Sequence, residues 1–159
     1  MKPRTYFAPH GGLPPQSQIT SGRAVFTDAY AVIPKGVMSD IVTSYFPFWT
    51  KTRAWILARP LSGFAETFSQ TIMEVLPGGG SDKPEPDAGA QAALFVMEGE
   101  VALSMAGKRH TLRPGSLVYI PPGCVWTLTN KAKKPARFHW IRKIYEPVEG
   151  INAPEPFVI

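Results

Sequence analysis

Between residues 66 and 145, proline and glycine repeatedly cut the chain into apolar segments too short for packed helices. Within those segments β-branched and aromatic residues predominate, and Val101, Leu103 and Met105 alternate with Ala102 and Ser104 as in a strand buried on one face. The expected strands cover residues 24–33, 39–43, 53–58, 66–76, 92–97, 101–105, 110–112, 117–120, 125–129 and 136–145. Turns are expected at Pro34-Lys35-Gly36, at Pro77-Gly78-Gly79-Gly80, at Glu98-Gly99, at Ala106-Gly107-Lys108 and at Pro121-Pro122-Gly123. Residues 81–90 hold Pro84, Pro86 and Gly89 and almost nothing apolar, which predicts a surface loop. Many short strands joined by close turns make a small antiparallel barrel or sandwich. No internal repeat is present.

A chain of 159 residues has room for one core, not two. Cys124 is the single cysteine, so an intrachain disulfide and a multi-cysteine zinc site are both excluded, and a reducing compartment is the simpler assumption. No stretch approaches the length of an apolar membrane span, and the basic start of the chain leads into no apolar run. A soluble, cytoplasmic protein without membrane contact is expected. The net charge of +5 raises the question of nucleic acid, but Lys131, Lys133 and Lys134 fall at a hairpin tip with no recognition helix or interleaved aromatics. No nucleic-acid role is expected.

Gly115, Pro121, Gly123 and Asn130 stand at four of the five defined positions of a pattern G-x5-P-x-G-x2-H-x3-N, with Trp126 in place of the histidine. This pattern resembles the second motif of the cupins. Gly115 permits the turn into a strand, Pro121 and Gly123 redirect the chain, and the histidine position faces the barrel mouth. The first cupin motif, G-x5-H-x-H-x3-4-E-x6-G, runs here from Gly79 to Gly99. It has Glu85 and Asp87 at the histidine positions and Ala92, or Gln91 in the alternative spacing, at the glutamate. The glycine frame is kept and the metal ligands are replaced. None of His10, His110 and His139 falls in either motif. The resemblance implies an all-β cupin fold, a double-stranded β-helix or small jelly-roll barrel, without the usual site for a divalent transition metal. Glu85 and Asp87 could hold a hard cation, but flanked by prolines in a polar loop they are expected to be solvated. Trp126 is expected to plug the volume that the metal leaves, with a pocket wall as the alternative. Cys124, with no histidine base assigned beside it, is expected to be inert.

A closer resemblance covers nearly the whole chain. It rests on Tyr30-Ala31-Val32-Ile33-Pro34-Lys35-Gly36-Val37, Leu57-Ala58-Arg59-Pro60-Leu61-Ser62-Gly63-Phe64, Leu94-Phe95-Val96-Met97-Glu98-Gly99, Tyr119-Ile120-Pro121-Pro122-Gly123 and Arg142-Lys143-Ile144-Tyr145-Glu146-Pro147-Val148-Glu149-Gly150. These segments resemble the N-terminal half of the (S)-ureidoglycine aminohydrolases, two-cupin proteins of allantoin breakdown also described as glyoxylate-induced proteins. That family hydrolyses ureidoglycine to ureidoglycolate and ammonia with Mn²⁺ held in the second cupin. Its first cupin supplies packing and oligomer contacts.

The resemblance implies a non-catalytic barrel that carries no catalytic residue, metal ligand or cofactor of its own and ends near the linker to a second cupin. A stand-alone binding module for a small polar ligand is the alternative, with Gln91, Trp126 and Arg59 as pocket candidates. Arg59, Arg142 and Lys143 could each pair with a carboxylate ligand or simply coat the surface. The expected organisation is an extended arm over residues 1–22, a barrel over 23–145 and a tail or linker over 146–159. Exposed sheet edges and the long arm imply a homo-oligomer, most simply a dimer, or pairing with a second cupin.

Overall fold

The structure, a computed structural model, describes residues 25–26, 31–32, 46–58 and 68–159. The arm over residues 1–22, the strand expected at 39–43 and Arg59 lie outside the described residues. The chain divides into two compact units, Met1–Val42 and Thr43–Ile159. In the first unit, β1 (Val25–Phe26) and β2 (Ala31–Val32) pair antiparallel. In place of the single strand expected over 24–33, two short strands pair with each other.

The second unit is built from β3 (Thr50–Ala58), β4 (Phe68–Ser81), β5 (Ala90–Glu98), β6 (Val101–Met105), β7 (Lys108–Leu112), β8 (Leu117–Ile120), β9 (Trp126–Thr129), β10 (Ala136–Ile144) and β11 (Phe157–Val158). All pairings are antiparallel, in the order β11-β8-β5-β10-β4-β9-β6-β7 with β3 on the other side of β4. The result is a nearly closed barrel of cupin type with no helix among the described residues. Hence no described helix is long and apolar enough to cross a membrane.

β4 holds the two walls together. Residues 68–75 lie between β10 and β3, whereas Gly80 and Ser81 pair with β9. The run Pro77-Gly78-Gly79-Gly80, expected to end the strand, instead bends it from one wall to the other. Glycine is required there by close approach. A Cβ on Gly79 would lie 2.7 Å from Thr50 O, and one on Gly80 would lie 2.0 Å from Leu128 O, with φ already at +141°. Asn130 clamps the bend. Gly78 N–H donates to Asn130 O at 2.8 Å, and Asn130 N–H donates to Gly79 O at 2.9 Å. The fully buried Asn130 side chain donates through Nδ2 to Val75 O and Lys134 O, and its Oδ1 accepts from Ala132 N–H. Gly99, where the chain leaves β5 for β6, is another close approach, since a Cβ would lie 2.5 Å from Pro135 O.

Strand alternation then fills the interior. Leu94 and Val96, Leu103, Val118, Leu128, Phe138, Met73 and Val75 all point inward and form one core. The tail does not simply depart. Its last residues return as β11, pairing Phe157 with Tyr119 and Val158 with Val118, and the Phe157 and Tyr119 rings stack at 5.7 Å.

The outer face of the larger wall carries both apolar residues and a buried ion cluster. Registered across β8, β5, β10, β4 and β3, Leu117, Phe95, His139, Ile72 and Trp55 form one row. In the next row but one, the carboxylate of Glu74, only 2% exposed, bridges Arg53 (2.6 Å) and Arg137 (2.7 Å), and both guanidiniums lie against the Trp55 ring. Burial alone would push the Glu74 carboxyl up, but the hydrogen bonds and charges of Arg53 and Arg137 outweigh it and hold its pKa below the ordinary value.

Two measurements test this account. Gly80→Ala is expected to lose about 3 kcal/mol or more in urea unfolding. Gly107→Ala, where nothing lies within 4 Å of a new Cβ, should lose about 1–2 kcal/mol, the cost of its positive φ. For Glu74, a folded pKa below the unfolded one means stabilisation that is complete above about pH 4.3 and fades as pH falls through the lower folded value. The urea midpoint should therefore drop less between pH 6 and pH 3 in Glu74→Gln than in the parent.

Candidate functional site

At one end of the barrel, residues 82–89 and residues 121–125 enclose a cleft of about 500 Å³. The first loop is shaped by its own polar groups. Ser81 Oγ donates to Phe48 O and accepts from Lys83 N–H, Glu85 Oε1 accepts from Asp87 N–H, and Asp87 Oδ1 accepts from Gly89 N–H at 3.0 Å. In the second loop Gly123 sits at φ +72° and Cys124 N–H donates to Pro121 O at 3.3 Å, which turns the chain sharply into β9. The cleft brings together Glu85, Asp87, Ala92 and Trp126, the four positions at which cupin metal ligands are replaced.

Trp126 is 4% exposed and forms part of an aromatic cluster. Its ring meets Trp49 at 6.4 Å and Trp140 at 6.2 Å edge-on, Trp49 also packs on Phe138 and Trp140, and Phe46 stands edge-on to Trp140. The indole at the former histidine position therefore fills the end of the core while one side lines the cleft. Among the described residues, neither Trp126 Nε1 nor Trp140 Nε1, both buried, has a hydrogen-bond partner. A buried donor left unsatisfied costs about 1–3 kcal/mol, so two in one cluster are unusual.

Glu85 is not a solvated loop carboxylate. Both its oxygens accept from Arg142, through Nε and Nη2, and the Arg142 guanidinium lies 5.1 Å from the centre of the Trp140 ring. Arg142 thus neither coats the surface nor stands free for a carboxylate ligand, but pairs with a carboxylate of the chain itself, across 57 residues of sequence. Lys143 instead lies 3.8 Å from Glu146 at the surface.

Gln91 points to the outer face, where its Oε1 accepts from Tyr119 Oη at 2.9 Å, and it does not line the cleft. Period-two alternation explains this: Ala90 and Ala92 face inward, so Gln91 between them cannot. Burial pushes the Tyr119 hydroxyl up, and the nearby Tyr145 adds to the rise. His139 is also on the outer face, beside Gln70, with its pKa lowered by burial, and His110 lies on β7. Burial raises the Cys124 thiol despite a hydrogen bond with the Ala106 backbone, which disfavours a thiolate nucleophile.

The side chains at this corner do not fit a divalent transition metal. Ala92 has no donor atom, an indole N–H cannot ligate, Glu85 is neutralised by Arg142, and Asp87 already accepts from its own loop. Among the described residues no three His, Cys, Asp or Glu side chains converge as a metal set would require.

Sequence reasoning did not find Phe48, Trp49 and Trp140 as parts of this end of the barrel. Inward alternation along β10 marks Trp140 as core, but nothing local in the sequence brings it to Trp126.

A cupin domain model matches residues 71–142. Over 117 residues the chain is 26% identical to the (S)-ureidoglycine aminohydrolase of Escherichia coli (strain K12), which covers 74% of this chain and 42% of that protein. The crystal structure of a protein from Pseudomonas aeruginosa described as glyoxylate-induced is 55% identical, with a TM-score of 0.80 over 99% of this chain and 57% of that one. Protein Ylba from E. coli, 23% identical, has the same fold with a TM-score of 0.75 over 91% of this chain and 58% of that one. The chain therefore spans 42% to 58% of the length of these relatives.

If Trp126 is a packed element of the core, Trp126→Ala is expected to lose about 3–5 kcal/mol in denaturant unfolding. Asp87→Ala, on the exposed loop, should change stability by less than about 1 kcal/mol.

Proposed function

We propose, for a chain that is a cupin similar to the (S)-ureidoglycine aminohydrolases, that it serves as a non-catalytic barrel and acts through packing and assembly. The observation that carries this reading is the corner where cupin ligands would stand: Trp126 is packed between Trp49 and Trp140, and Glu85 is bound by Arg142. Hydrolysis of ureidoglycine to ureidoglycolate and ammonia requires activation of a water and stabilisation of a leaving amine. No convergent base and electrophile lines this cleft among the described residues. In this reading Mn²⁺ and turnover belong to a second cupin, as a domain or a subunit, and this barrel holds it in place.

The outer face of the larger wall supports an assembly role. Phe95 (43% exposed), Leu117 and Ile141 (37% each) lie on neighbouring strands, and such a patch of exposed apolar side chains is a common mark of a protein interface. Self-association, most simply as a dimer, is the proposed state. A binding module for a small polar ligand is the second reading, favoured by the cleft itself.

Three measurements on the purified chain decide between these readings. Ammonia release from ureidoglycine should stay at the uncatalysed rate, and elemental analysis should find Mn²⁺ far below one per chain. Stoichiometric Mn²⁺ that disappears in Glu85→Ala would instead establish a metal enzyme built on the loop carboxylates. Light scattering should give the mass of a dimer or larger, and a monomer at all concentrations would remove the assembly role.

A further inference from the structure

We propose that the outer face of the smaller wall, formed by β7, β6 and β9, binds a phosphate group, free or as the ester of a small molecule, between Arg109 and Lys131. The assembly role rests on the larger wall and neither needs this site nor overlaps it. Strand register builds the site. Ser104 pairs across the sheet with Arg109 on one side and Thr127 on the other, and Ala102 pairs in the same way with Thr111 and Thr129. Residues two apart on a strand share a face, so these side chains stand together. The small ones at the centre leave a groove of about 420 Å³, within the range of about 300 to 1,000 Å³ for small-molecule sites. Arg109 lines it beside Ser104, and Lys131 lines it beyond Thr129.

Charge and hydrogen-bonding capacity point to the ligand. Arg53, Arg113, Arg137 and Arg142 all bind carboxylates of the chain. Among the described residues Arg109 binds none, and neither does Lys131. No Asp or Glu lines the groove to neutralise them. The hydroxyls of Ser104, Thr111, Thr127 and Thr129 have no partner among the described residues either. The groove therefore offers hydroxyl donors, a guanidinium and an ammonium with no fixed negative charge. Donors in that number suit a phosphate, with about two negative charges and three strong acceptor oxygens, better than a flat carboxylate. No Phe, Tyr or Trp lines the groove, so a base or sugar ring has no stacking platform and the phosphate itself is the group recognised.

The test follows the backbone amide resonances of Ser104, Thr127 and Thr129 in the ¹⁵N-labelled full chain while glycerol 2-phosphate is added at pH 7.5 and constant ionic strength. Glycerol, the same body without the phosphate, and acetate, an anion without the tetrahedral oxygens, are the controls. Saturable shifts with glycerol 2-phosphate and with neither control are expected. Inorganic phosphate is titrated in parallel: equal affinity assigns the site to the phosphate group by itself, and tighter binding of the ester assigns it to a phosphorylated molecule. Arg109→Gln should weaken binding about tenfold. Thr127→Val keeps the side-chain shape and the strand preference but removes a hydroxyl, and it should weaken binding about threefold or more. Lys133→Gln removes a positive charge from the loop after β9 at a residue that does not line the groove, so affinity should change by less than about twofold. All three side chains are exposed or half-buried, so the variants should fold, and thermal unfolding checks that they do.

The proposal is overturned if the shifts stay linear in phosphate concentration or if acetate produces the same shifts. It is equally overturned if Lys133→Gln weakens binding as much as Arg109→Gln, because the face would then be a diffuse positive field. Unchanged affinity in folded Arg109→Gln or Thr127→Val would also sink it. Oligomer mass, ammonia release and Mn²⁺ content are not read in these titrations, so failure here is distinguishable from failure of the structural role.

Discussion

The contact on which the barrel depends is the one between the bend of β4 and Asn130. β4 must serve two walls, and an antiparallel strand can change walls over so short a distance only where its backbone presses directly on its neighbours. Gly79 and Gly80 allow that approach because they have no Cβ to collide with Thr50 and Leu128. Asn130 then ties the bend to the loop after β9: its backbone pairs with Gly78 and Gly79, and its fully buried side chain reaches Val75 beside the bend and Ala132 and Lys134 in the loop. Gly79 opens the first motif and Asn130 closes the second, so motifs separated in sequence are two sides of one structural joint.

This joint explains why a cupin can lose its ligands and keep its fold. The glycines and the asparagine act on backbone geometry, whereas the residues at 85, 87, 92 and 126 act on whatever occupies the barrel mouth. Replacing donors by Ala92 and Trp126 removes the need to keep polar ligands desolvated near a metal and extends the hydrophobic core. Arg142 neutralises the remaining carboxylate that faces inward, and its guanidinium covers Trp140, so charge and aromatic surface are both accommodated by one side chain. What is left is a cleft bounded by two loops and floored by an indole.

Much of this was legible before any coordinates. Strands 101–105 and 117–120 occur with the expected bounds because both are short, alternating and closed by strong turn residues. The loop at 82–89 was legible from its prolines and its lack of apolar residues. Other elements were not. The glycine run after Pro77 reads as a terminator, because glycine and proline interrupt strands in general, and only the second wall on the far side turns it into a bend. The return of Phe157 and Val158 to β8 was hidden among prolines, since two residues carry no periodicity. Gln91 illustrates the limit of motif spacing: one residue of register decides which face a side chain takes.

The sequence by itself determined the all-β class, the turns at Glu98-Gly99, Ala106-Gly107-Lys108 and Pro121-Pro122-Gly123 and the absence of imidazole at the motif positions, because these follow from local backbone preferences and from the identities of single residues. The tertiary structure alone decided what replaced the ligands. That Glu85 meets Arg142, that Trp126 packs between Trp49 and Trp140, and that a cleft remains above them all depend on groups far apart along the chain. Packing brings such groups together only when the whole barrel closes, and no local pattern in the sequence encodes the distance between them.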